Sequence, residues 1–236
     1  MATANGSANL SQELLLSVAE ELKLPLLQIA RLVELGRLDG EVDLRTIEAT
    51  ASAALKLLDN YALGVRLALE PRELNLEPVS VASVLYDTGQ QLDELAKSYG
   101  VSLELNVAGK FGTVMAHRQG LQAALTSLGA ALIEALPALE SRQLKLQLAT
   151  HRSRYGIVAG LYADSDRLTD TALERGRKLH GNSRQPLMSL THTSGAGIFV
   201  ADTILKAMHL KLHASRHHRL YGLGTVLPVN NQLHFI

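Results

Sequence analysis

The stretch Leu14–Ile29, LLLSVAEELKLPLLQI, constrains this chain more than any other. Its apolar residues recur at Leu15, Val18, Leu22, Leu26 and Ile29, the three- and four-residue spacing that lines one stripe of an α-helix. Pro25 sits inside that stripe. It lacks the N–H that a helix uses and crowds the preceding turn, so a kink or local loosening is expected there.

The first helix is predicted over residues 11–35, with Ser11 as its cap and Gly36 as its stop. A second, from Asp43 to Leu69, carries Leu44, Ile47, Ala51, Ala54, Leu58, Tyr61 and Val65 at the same spacing. Only Gly36-Arg-Leu-Asp-Gly40 separates the two, which makes an antiparallel hairpin. A hairpin this thin cannot cover its own stripes. Two copies can, as a four-helix bundle, so a homodimer is expected.

Composition narrows the class. In a chain of 236 residues, 47% hydrophobic and 19% charged, there is enough apolar surface for a real core. Lys plus Arg and Asp plus Glu number 23 each, so no overall charge argues for nucleic acid or a membrane surface. There is no cysteine, which excludes disulfides and thiolate metal sites. Residues 1–9 lack the features of a secretory signal. The most apolar window, Leu121–Leu139, is broken by Gln122, Thr126, Ser127, Glu134 and Pro137 and reads as a buried helix, not a membrane span. A cytoplasmic location is the expectation.

The proline-bounded segment Glu70–Pro78 divides the chain into a helical hairpin, 1–72, and a second domain, 73–236. Beyond it a helix is predicted over 80–98, stopped by Gly100, then an alternating strand, Val101–Val107. A short extended piece at Val114–Met115 and a helix over 119–136 follow. Strands are expected at Leu144–Leu148, Tyr155–Ala163, Leu210–Ala214 and Gly224–Val229, with a helix over 197–208. This order describes an α/β sandwich, with helices covering one face of a mixed sheet.

The octapeptide Ala19-Glu-Glu-Leu-Lys-Leu-Pro-Leu26 resembles the dimerisation-helix motif of sensor histidine kinases, Ser-His-Glu-Leu-Arg-Thr-Pro-Leu. Glu21, Leu22, Pro25 and Leu26 match, Lys23 is conservative, and Glu20 stands at the phosphoacceptor position. The order of elements after residue 73 resembles the ATP-binding domain of the same kinases. Its most specific pieces are Ser194-Gly-Ala-Gly-Ile-Phe-Val-Ala-Asp-Thr-Ile204, similar to the second glycine box and its helix, and Leu220-Tyr-Gly-Leu-Gly-Thr-Val-Leu-Pro228, similar to the closing strand. The resemblance spans nearly the whole chain and implies a dimeric helical bundle followed by a histidine-kinase-type ATPase sandwich.

What the family uses to hold nucleotide is altered here. Both asparagine positions of the magnesium-binding helix fall on Ser127 and Ala131, and alanine cannot ligate a metal. Glu134, further along, reads as a solvated edge residue. In the candidate adenine turn, Ala163-Asp-Ser-Asp-Arg-Leu168, Asp164 keeps a carboxylate while Asp166 and Leu168 replace two glycines; the same residues also read as a helix-capping turn ahead of Thr169. Gly195 and Gly197 remain in the later box, where they suit phosphate or simply start a helix, and Phe199 fills its third glycine position. A carboxylate at position 20 is also a weaker nucleophile than imidazole.

These replacements imply a degenerate kinase with no cofactor, acting as a dimeric signalling scaffold. Its expected partners are a response-regulator receiver domain or a related kinase, docking beside Glu20, Lys23 and Leu24. The rival readings are a divergent ATP- and magnesium-binding kinase, or a phosphotransfer protein using another histidine. A third is a nucleic-acid-binding regulator working through Lys206, Lys211, Arg216 and Arg219, although that end lacks interleaved aromatics. His213, His217 and His218 lie close in sequence without a following carboxylate, and the alternation of Leu210, Leu212 and Ala214 with Lys211, His213 and Ser215 reads as a strand with one wet face rather than a metal site. His117 reads as a surface residue at a helix start.

Overall fold

The structure is a computed structural model that describes residues 26–27, 29–38, 40–42, 44–69, 75–107, 109, 111–136, 144–178 and 195–229. The kink expected at Pro25 and the motif around Glu20 lie outside these residues.

Helix α1 covers 29–38 and α2 covers Leu44–Leu69. Gly36 does not stop α1, which runs two residues past it. Glycine is needed there for another reason: a Cβ would stand 2.5 Å from the Val42 side chain where the chain turns back. After α2 come β1 (Glu77–Val79), α3 (Val81–Ser98), β2 (Ser102–Val107), β3 (Val114–Ala116) and α4 (Arg118–Ala135). The remainder is β4 (Lys145–Ser153), β5 (Gly156–Ala163), α5 (Asp170–Lys178), α6 (Gly195–Ala207), β6 (Leu212–His217) and β7 (Leu220–Leu227).

Local chemistry sets the helix starts. Ser80 caps α3, its hydroxyl accepting from the Ser83 amide at 3.4 Å. His117, partly buried, caps α4, its Nδ1 accepting from the Gly120 amide at 3.0 Å. Thr169 does the same for α5 through the Ala172 amide, 3.2 Å away.

The main sheet has the order β2-β4-β5-β7-β6, parallel between β2 and β4 and antiparallel elsewhere. A small antiparallel pair, β1 with β3, lies outside this ladder and is tied to the chain after β7 by a bridge between Val114 and Val229. The closing hairpin differs from expectation. β6 extends to His217 and β7 begins at Leu220, because the ladder continues to the turn at His218–Arg219. Backbone pairing carries the strand through Ser215-Arg-His, where apolar alternation has ended.

Helix α4 packs between α3 and α6, and the three cover one face of the sheet, with Leu85, Leu92, Leu125, Leu128, Leu132 and Leu161 in the core. The C-terminal half of α2 joins this core through Tyr61 and Leu67, packing against α6 and α4. Among the described residues no helix is long and apolar enough to cross a membrane.

Candidate functional site

Three of the residues singled out for phosphate chemistry, Gly197, Ser127 and Ala131, meet at the contact between α4 and α6. Gly197, in the first turn of α6, lies against α4: a Cβ added there would be 2.6 Å from the Ser127 carbonyl oxygen and 2.9 Å from the Ala131 Cβ. Ser127 and Ala131 are the positions matched to the two asparagines. The two helices therefore touch, backbone against methyl, where the resemblance places the metal and phosphate grip. Ala131 is itself buried at this contact.

From the other side, α2 closes on the same spot. Asn60 donates from Nδ2 to the Ser127 hydroxyl at 3.4 Å, and a Cβ on Gly64 would stand 3.3 Å from Ile204 of α6. Phe199 is half-buried and packs against the core.

The candidate adenine turn follows β5. Asp164 is exposed while its neighbours Ala163 and Ser165 are buried. Leu168, in place of a glycine, is buried with Leu173 of α5 in the common core. The turn thus leads into a capped helix, and Asp170 of that helix accepts from the Ala214 amide at 3.0 Å, tying α5 to β6.

Glu134 corrects the sequence reading of a solvated edge. It is largely buried on α4, and desolvation pushes its pKa up to about 7. The basic end is also partly engaged. Lys206 pairs with the buried Asp202 at 2.6 Å, and the Arg216 guanidinium lies 4.4 Å from the centroid of the Tyr221 ring. The wet-face reading of the histidines fails at His217, which is buried. His217 meets His151 and Tyr162, residues of other strands that no sequence spacing could bring to it. Glu20, Lys23 and Leu24 lie outside the described residues.

No protein-family description matches the chain, and no curated protein does. Solved structures do match. The Acinetobacter baumannii histidine kinase AdeS superposes with a TM-score of 0.51 at 16% identity, over 90% of this chain and 98% of that one. The chain has a histidine-kinase-type core fold.

A second structure, described as a bacterial phosphotransferase, is similar at a TM-score of 0.51 and 12% identity, over 92% of this chain and 96% of that one. Full-length ShkA in complex with AMPPNP matches at a TM-score of 0.50 and 14% identity, over 79% of this chain but 38% of its own. The mixed sheet with its helical face matches the fold of histidine kinase ATPase domains.

Proposed function

We propose that this protein is a catalytically degenerate histidine-kinase-like scaffold. Its helical hairpin, residues 1–72, pairs with that of a second copy, and its ATPase-like domain, 73–236, serves as a structural partner rather than a phosphoryl donor. The observation that carries the reading is the seating of Gly197 on Ser127 and Ala131. An oxygen ligand for magnesium is missing at 131, and helix–helix packing occupies the space in which one would act.

The chain's histidines support the same reading. There are nine, and the first in the sequence is His117, so the hairpin offers no imidazole to phosphorylate. A receiver domain or a related kinase is the partner this architecture suits, docking on the bundle beside Glu20, Lys23 and Leu24.

Titration calorimetry with magnesium-ATP tests the proposal. No saturable heat is expected, and binding in the micromolar range would overturn it. Glu20→His provides a second test: incubated with labelled ATP, the variant is expected to stay unlabelled, because restoring an acceptor does not restore a donor.

A phosphotransfer role is the second reading, favoured by the near end-to-end likeness to the structure described as a phosphotransferase. Transfer of label from a phosphorylated receiver domain onto a histidine of this chain would select it.

A further inference from the structure

One face of the five-stranded sheet lies under the helices; the other carries a cluster of rings. By register, Glu104, Gln147, Tyr162, Gly222 and Ser215 form one row of that other face, and Asn106, Ala149, Gly160, Gly224 and His213 the next. Asn106 is on edge strand β2 and His217 on the opposite edge strand, β6. Their side chains nevertheless meet, with Asn106 Nδ2 3.4 Å from His217 Nε2. Four strand-to-strand steps would separate these edges by about 19 Å in a flat sheet. The contact therefore requires a sheet that curls over this face.

Rings fill the concavity. His151 and His217 stack with centroids 5.2 Å apart and planes at 24°, and His218 meets His217 edge-on at 4.3 Å. Tyr162 lies 5.4 Å from His217 and 6.1 Å from His151. It is fully buried, its hydroxyl 3.3 Å from Ser215 Oγ. Its ring rests on bare backbone: a Cβ at Gly160 or Gly222 would come within 2.6 Å of it.

We propose that this cluster is a proton-operated clasp, which holds the two edges of the sheet together over Tyr162 while its imidazoles are neutral and releases them when they charge. With the Asn106 amide nitrogen as donor, Nε2 of His217 has to be the unprotonated, accepting nitrogen. Protonation turns it into a second donor and ends the bond. It also sets two imidazolium rings, His151 and His217, against each other at stacking distance.

Charged and titratable groups face the cluster from each neighbouring element. From β2 comes Glu104, already ion-paired with Lys145 of β4 and accepting from Gln147 at 3.4 Å. β4 adds His151, β5 adds Tyr162 with the exposed Asp164 just past its end, and β6 adds His213 and His217. The turn contributes His218 and Arg219, while the residues of β7 on this face, Leu220, Gly222, Gly224 and Val226, are uncharged.

Burial, and then the neighbouring histidines, lower the pKa values of both His151 and His217 below 6.5. The open state therefore takes up protons first as pH falls. The clasp is complete above pH 6.5 and is lost as the pH drops through the lowered values.

Hydrogen exchange of the full chain, corrected for intrinsic rates, tests this at about pH 7.5 and about pH 5.5. Protection of β2 and β6 peptides is expected to fall about tenfold at the lower pH while α3 and α4 keep theirs. Asn106→Asp should cancel or reverse that loss, because a carboxylate holds the charged imidazole instead of releasing it. In His151→Gln/His217→Gln the two pH values should give equal protection. Three results would overturn the clasp: wild-type protection that does not change with pH, an acid loss shared equally by α4 and the central strands, or an Asn106→Asp variant that loosens in acid as much as wild type. The wild-type comparison decides the matter even if a variant fails to fold.

Discussion

Gly197 and Ala131 together set the distance between α4 and α6, and neither can grow. Gly197→Ala would place its methyl 2.6 Å from the Ser127 carbonyl oxygen, so the helices have to part. The expected loss is about 1–3 kcal/mol, readable as a lower denaturation midpoint. Ala131→Asn should destabilise similarly without creating magnesium-ATP binding, since the amide finds a helix where a ligand should be. On the same helix, Glu134 carries its proton upward. Its folded pKa of about 7 lies above the ordinary 4.5, so its effect on stability is absent below pH 4.5 and grows into a penalty as pH rises through 7. At about pH 8 the buried charge costs on the order of 3 kcal/mol. Glu134→Gln is therefore expected to be more stable than wild type at that pH and level with it at low pH, by urea denaturation at both. Periodicity gave no warning of this, because a lone glutamate on an apolar helix has the same spacing whether its face meets water or protein.

At the scale of elements, α2 does two things that the sequence presented as one stripe. Tyr61, buried to 2% exposure, and Leu67 pack into the core shared with the sheet, whereas Leu44 and Leu55 stay 71% and 61% exposed. The C-terminal half is bound to the ATPase-like layer through these two side chains. Tyr61→Ala should free that attachment at a cost of about 3–5 kcal/mol, with exchange protection lost along the C-terminal half of α2 before α4. The helices were legible because a 3.6-residue repeat is a local property, and α2, α3, α4 and α6 begin within two residues of their expected positions. The ends of β6 and β7 were not, because pairing between strands, and not apolar alternation, decides where a ladder stops.

For the whole molecule, the proposed pairing of two hairpins would cover leucines that the N-terminal helices expose. Light scattering is expected to return twice the 25.5 kDa of one chain, and Leu44→Lys/Leu55→Lys to return the single mass. A monomeric wild type would remove the bundle from the proposal and leave the α4–α6 argument standing. The sequence by itself determined most of the elements, their order and the histidine-kinase-type core, since these follow from periodicity, turn residues and a connected run of motifs, while β1 went unread and α5 was only an alternative. Through the resemblance it also named which side chains stand where that family grips phosphate. Only the tertiary structure decided that Gly197 presses on Ala131, that Glu134 is sheltered, and that His151 and Asn106 meet His217 across a curled sheet. These are contacts between residues far apart in the chain. They depend on helix packing and sheet curvature, and no local pattern encodes either one.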